Sequence, residues 1–229
     1  MESNISTHEI RKIRGVILAW GREHYQEFPW REPGRRWHGL VAEILLQRTR
    51  AQNVVPVYSE FVDRFPEPRD LGRATEDEIL EVVGSLGLHW RAPLLKKLGQ
   101  ELAERDSIPD TLEELKELPG VGAYVGSAWL TFHVGERGVL VDANIVRWIC
   151  RILGRQYDGE TRREDWVRNL LDRLTPEENH RAFNYALLDF TMNICRSTGP
   201  LCDACPIGTG LCRHGAANPC GESGEDSEE

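Results

Sequence analysis

LPGVGAY at residues 118–124, followed after 16 residues by VDAN at 141–144, says more about this chain than its composition does. The first stretch is a tight Pro-Gly turn between two short helices. Gly120 and Gly122 lack a Cβ, so the backbone there can take unusual dihedrals and approach another surface closely. The reading leaves the N–H groups of Val121, Gly122 and Ala123 free at the start of the next helix, a place suited to a phosphate oxygen. Asp142 then follows a helix-like stretch from Ala123 to Val134 and the apolar run VLV. An acid introduced that way is expected partly desolvated, at the mouth of a helix beginning near Ala143.

Working outward, the chain reads as helix nearly throughout. Thr7 opens an amphipathic stretch with Ile10, Ile13, Ile17 and Trp20 on one side. Thr75 with Glu78, Thr111 with Glu114, and Thr175 with Glu178 have the spacing of capping boxes, the last with Pro176 at the first helical position. Amphipathic runs lie at about 39–49, 51–64, 90–105, 123–134, 142–154 and 164–174. No sustained alternation of period two is present, so the expected class is all-α. No apolar stretch approaches the roughly 20 residues that span a bilayer.

Formal net charge is −9 for 229 residues, which at first argues against a nucleic-acid partner. The last nine residues, GESGEDSEE, carry five of those charges and read as a disordered acidic tail. The remainder is near −4, so binding to DNA would rest on local patches and backbone amides. At this length one or two domains are possible, with enough chain to bury a real core.

Cys195, Cys202, Cys205 and Cys212 are spaced C-x6-C-x2-C-x6-C, with Pro206 after the third. Four thiolates within 18 residues can close on one metal centre, and soft sulfur selects zinc or an iron–sulfur cluster. Zinc sites usually pair two short C-x2-4-C knuckles, and only Cys202 and Cys205 form one. The wide first interval suits a [4Fe–4S] cube better. A disulfide framework is disfavoured because no signal peptide opens the chain and intracellular thiols stay reduced. Cys220 is a weaker candidate ligand, and Cys150, inside IVRWICRIL, reads as core.

Taken together, the turn, the aspartate and the cysteines resemble the helix–hairpin–helix DNA glycosylases of the endonuclease III/MutY superfamily, from about Pro29 to Cys212. The family's last cysteine interval is five residues rather than six. The resemblance implies two helical lobes with DNA in a cleft between them: a six-helix lobe over 36–141, a discontinuous cluster lobe from 1–35 and 142–215, and the tail at 216–229. It implies a [4Fe–4S] cofactor, double-stranded DNA bearing a mismatched or damaged base as partner, and a monomer. A cytoplasmic, nucleoid-associated location in a prokaryote or archaeon is expected, away from membranes.

A glycosylase reaches its bond by flipping the nucleotide out of the stack. By resemblance, Gln47 of AEILLQRT is the wedge that fills the gap, and Leu88 of SLGLHWR enters from the other side. Cleavage of the N-glycosidic bond builds positive charge on the sugar, which a fixed carboxylate stabilises; Asp142 is the candidate. Glu43, an acid on an otherwise apolar helix face, is expected to hold a proton more readily and to donate it to the leaving base, and it matches the essential glutamate of MutY-type enzymes. A buried carboxyl paired with a nearby arginine is the competing reading.

Tyr124, seventh in LPGVGAY, stands where bifunctional endonuclease III relatives carry the lysine that forms a Schiff base. Tyrosine cannot form an imine, so a monofunctional enzyme is expected. Mig-type thymine glycosylases, which act on G/T mismatches, carry tyrosine there and alanine at the position of Ala51. Tyr185 of FNYALLDF replaces the glutamine that contacts adenine in MutY, and departs from the aliphatic residue of the Mig pattern, so the base pocket is expected to differ. The chain has no room after the cysteines for MutY's C-terminal domain. Removal of thymine or uracil opposite guanine is therefore the expected function. The alternatives are an adenine glycosylase acting opposite G or 8-oxoguanine, and a non-catalytic DNA-structure binder, the latter opposed by the retention of Asp142 and Glu43.

Overall fold

The computed structural model describes residues 5–32, 34–87 and 89–217, and none of them lies in a strand. Chain contacts divide it into two compact units, residues 27–138 and a discontinuous unit of 1–26 with 139–229. The breaks fall nine and three residues before those expected at 35/36 and 141/142. Phe28 and Trp30 account for the first: they stack at 4.9 Å, and both pack into the core of the 27–138 unit.

That unit contains α2 (Arg36–Leu45), α3 (Ala51–Arg64), α4 (Pro68–Arg73), α5 (Glu76–Val83), α6 (Ala92–Ala103), α7 (Leu112–Leu115) and α8 (Ala123–Trp129), with α1 (Thr7–Glu23) belonging to the other unit. Helix α2 is buried on all sides from Trp37 to Leu45, which is why the run WHGLVAEIL has no polar stripe. Two indole N–H groups at its N-terminal end are satisfied by carbonyls: Trp37 donates to Phe65, and Trp129, the last residue of α8, to Arg36. Helices α4 and α6 meet backbone to backbone. A Cβ on Gly99 would lie 2.6 Å from the Gly72 nitrogen and 2.9 Å from the Pro68 oxygen. Helix α8 does not end in α geometry. It runs into a π-turn, Leu130–Val134, in which the Gly135 and Glu136 amides both donate to the Leu130 carbonyl.

The second unit is built from α1, α9 (Ala143–Leu153), α10 (Asp165–Leu174), α11 (His180–Asn193) and α12 (Arg213–Ala217). Helix α1 is capped by a Ser6/Glu9 box, a signal one residue ahead of the expected start at Thr7. It crosses α11 closely, a Cβ on Gly21 falling 2.3 Å from that of Ala186. Arg14 donates to the carbonyls of Arg173, Leu174 and Thr175, closing the end of α10.

Of the three expected capping boxes, Thr75/Glu78 forms at α5. Thr111 caps α7 by accepting from the Glu114 amide. Thr175 does not start a helix. Its hydroxyl donates to the Leu171 carbonyl at 2.8 Å and its residue closes α10, while α11 begins after Asn179 in the left-handed conformation. Arg14, donating to the Arg173, Leu174 and Thr175 carbonyls from about 160 residues away in sequence, outweighs the local Thr-x-x-Glu signal.

Candidate active site

Val141 leads directly into Asp142, the N-cap of α9. Its Oδ1 accepts from the Asn144 amide at 2.7 Å and from Ile145 at 3.3 Å, so one oxygen is tied to the helix mouth. Among the described residues no donor reaches Oδ2. The carboxylate is therefore fixed in orientation with one oxygen free for a ligand. Arg147, one turn on, donates to the Asn144 side chain at 2.8 Å and to the carbonyls of Thr191 and Cys195. Burial pulls its guanidinium below the ordinary arginine range, against the opposing charges of Cys195 and Asp142. Sequence reading did not single out Arg147, which ties the Asp142 cap to the start of the cysteine loop.

In the 27–138 unit, Glu43 lies on α2 with its side chain 4% exposed, and its Oε1 meets His133 Nε2 at 3.2 Å. The competing expectation had given it an arginine partner. Gln47, just past the end of α2, donates from Nε2 to the Gly120 carbonyl at 3.2 Å. The expected wedge and the hairpin turn are thus in contact. Beneath them Arg91, 2% exposed, donates to the carbonyls of Ile44 at 2.5 Å and Gln47 at 2.8 Å, neutralising the C-terminal end of α2. Burial lowers its pKa to about 10. Arg91 follows Trp90 in sequence and was not foreseen; its stabilising role depends on a contact 44 residues away.

The turn itself departs from expectation at one residue. Gly120 takes φ +78° and Gly122 is the extended N-cap of α8. Val121, however, donates its amide to the Leu118 carbonyl at 3.1 Å and buries its side chain in the core. The amides left without partners among the described residues are those of Gly122 and Ala123. Tyr124, in the first turn of α8, and Ala51, first residue of α3, are half-buried at the edge of the same core. Tyr185 belongs to the other unit, on α11. It is 4% exposed, with its ring edge-on to Tyr25 at 6.3 Å and the Arg181 guanidinium 5.8 Å from the ring centre. Leu88 and Cys220 lie outside the described residues.

Cys195, Cys202, Cys205 and Cys212 form no disulfide among the described residues and are half-buried, whereas Cys150 is fully buried on α9 and its thiol is pushed up to about 11 by that burial. Burial also raises Cys205, and Cys212 and Cys195 add to the effect, so these thiols lie within electrostatic reach of one another. Arg151 places Nη1 3.4 Å from the Cys195 sulfur and 3.3 Å from its carbonyl, while the Cys212 sulfur lies 3.7 Å from the Arg151 carbonyl. Among the described residues no three His, Cys, Asp or Glu side chains converge closely enough to hold a single metal ion.

A family model described as HhH-GPD superfamily base excision DNA repair protein matches residues 41–174. The chain is 39% identical over 210 residues to a thymine/uracil-DNA glycosylase of Pyrobaculum aerophilum, covering 88% of this chain and 90% of that one. It is 37% identical over 207 residues to a thymine-DNA glycosylase of Aeropyrum pernix, covering 86% and 92%. Among solved structures, that of a thermostable thymine-DNA glycosylase superposes with a TM-score of 0.85 at 29% identity, covering 92% of this chain and 98% of that one.

Proposed function

This chain belongs to the HhH-GPD superfamily of base excision DNA repair proteins, and on that premise we propose that it is a monofunctional DNA glycosylase removing thymine or uracil opposite guanine. The observation that carries the reading is the likeness, along about nine-tenths of both chains, to the thymine/uracil-DNA glycosylase of Pyrobaculum aerophilum. Tyr124 supports the absence of strand cleavage, since a phenol cannot form an imine with C1′. The substrate is double-stranded DNA, engaged by one copy of the chain.

In this reading the nucleotide leaves the stack, with Gln47 and Leu88 filling the gap and the Gly120–Gly122 turn holding the backbone. Ala51 and Tyr124 are proposed to shape the base pocket. The N-glycosidic bond breaks with its electron pair going to the base. Glu43 supplies the proton the base takes up, and Asp142 faces the positive charge developing on the sugar. Water adds at C1′ and releases one proton, leaving an abasic site and the free base.

The four loop cysteines are proposed to hold a [4Fe–4S] cluster. Their fit rests on half-buried thiols that feel one another's charge, and on Arg147 and Arg151 gathered at Cys195, where a cluster with four thiolates brings net negative charge. When bound, the cluster serves as a cross-link that closes the loop over 195–212.

The test is direct. Duplexes containing G/T, G/U, G/A and 8-oxoG/A are incubated with the protein and abasic sites are revealed with alkali. Strand breaks at T or U opposite G, only after alkali, are expected. Faster excision of adenine would replace the reading with the adenine glycosylase alternative.

A further inference from the structure

Glu43 and His133 form a built pair. The carboxylate's hydrogen-bond partner among the described residues is His133 Nε2, and the two side chains are 4% and 5% exposed. The imidazole lies in a notch made for it. A Cβ on Gly39 would fall 2.3 Å from His133 Cγ and 2.4 Å from Nδ1, so the ring occupies the space that any other residue at 39 would fill. Gly39 precedes Glu43 by four residues, one helical turn, which puts notch and carboxylate on the same stripe of α2. The ring comes from the π-turn, whose wider winding breaks the ordinary register of α8.

A carboxyl and an imidazole in hydrogen-bond contact can share one proton. With one proton between them, it sits on Oε1 with Nε2 accepting, or on Nε2 with Oε1 accepting. Either form leaves no uncompensated charge in the core, where an isolated carboxylate would be costly. We propose that His133 is a positioning residue that holds the Glu43 carboxyl in place and keeps on it the proton destined for the leaving base. The inference rests on the reading of Glu43 as proton donor. As the N-glycosidic bond breaks, the proton passes from Glu43 to the base and the pair is left with none. The proton released when water adds at C1′ restores it, so the cycle closes without any further reactant.

The other buried titratable groups on α2, on the π-turn and on what packs against them are Arg31, His38, Tyr58 and Arg91, with half-buried Tyr124 on α8; Arg91 is committed to the Ile44 and Gln47 carbonyls. His38 commits its Nε2 to the Pro66 carbonyl at 3.2 Å, and burial lowers its pKa against the effect of that bond. Beyond the π-turn, Glu136 is exposed and Arg137 half-buried. Among the described residues none of these is hydrogen-bonded or ion-paired to Glu43, and the three atoms nearest a Cβ on Gly39 all belong to His133.

His133→Gln retains a hydrogen-bond donor of similar reach but cannot share the proton. Single-turnover excision at saturating protein is expected to fall at least tenfold at neutral pH, with the alkaline limb of the rate–pH profile moved down by about one unit and duplex affinity unchanged. A profile superimposable on that of the unmodified protein would overturn the proposal. If the variant does not fold, nitrogen-15 NMR of the histidine rings in the unmodified protein and in Glu43→Gln decides instead. The His133 ring is expected to titrate differently in the two, and identical titration overturns the pairing. That arm is independent of activity. Failure to excise any base from any duplex would overturn the glycosylase reading, and the role of Glu43 with it, even where the rings titrate together.

Discussion

Asp142 tethers one carboxylate oxygen to the α9 amides and leaves the other without a protein donor, and that asymmetry sets the expectation for its replacement. Asparagine caps helices as well as aspartate does, so Asp142→Asn keeps the helix start and removes the charge. Excision is expected to fall by about 10²–10³ with mismatch binding retained, as when a single electrostatic group that acts chiefly in the transition state is lost. Single-turnover rates beside a gel-shift titration check this; a few-fold loss would remove Asp142 from the chemistry. Tyr124→Lys, at the start of α8, is expected to bring borohydride trapping and some strand cleavage that the unmodified protein lacks. Neither appearing would mean that position 124 does not face the sugar. Asp142, Glu43 and Tyr124 stand out in the sequence because each is an unusual residue type within a strong local pattern. His133 was not, because the 3.6-residue period used to read α8 fails inside the π-turn that delivers it. Val121 was misread for a simpler reason: nothing in LPGVGAY reveals that its amide closes onto Leu118.

Elements were legible where local signals and packing agree. Helix α3 occupies Ala51–Arg64, as its amphipathic run indicates, and α5 starts at the Thr75 cap. They were illegible where a distant side chain intervenes, as Arg14 does at Thr175. The α4–α6 contact is another case, since two glycines in ordinary helical sequence do not announce that they face each other. Gly99→Ala would drive a methyl into the Gly72 and Pro68 backbone, where neither neighbour can rotate away. A loss of about 1–3 kcal/mol is expected, read as a lowered urea midpoint at constant slope. An unchanged midpoint would show that the helices part at little cost. The cysteine loop is tested as a unit. Protein purified without oxygen is expected to be yellow-brown with about four irons per chain. Cys205→Ser is expected to lose the iron and precipitate, whereas Cys220→Ser keeps it. Stoichiometric zinc in place of iron would overturn the cluster.

For the molecule as a whole, net charge says little about its partner. A chain at −9 that engages DNA is expected to do so through a few local contacts, the Gly122 and Ala123 amides and the exposed Arg48 and Arg50 beside Gln47 among them. Affinity for undamaged duplex is therefore expected to fall only gently with salt, with a log–log slope of about −2 to −4, each phosphate contributing about −0.9. A slope near −8 would demand a broad basic face that the composition does not supply. The π-turn adds a constraint of another kind. The meeting of His133 with Glu43 depends on a count of residues as well as on their identities. Deleting one residue ahead of His133 within the turn would swing the ring by about 100° around the helix axis, away from α2. The pair is thus easily kept or retuned by substitution but is lost at a stroke by a gap. Lineages descended from this protein should part ways here through changes in length, with Gly39 left behind as an empty notch where the ring once lay.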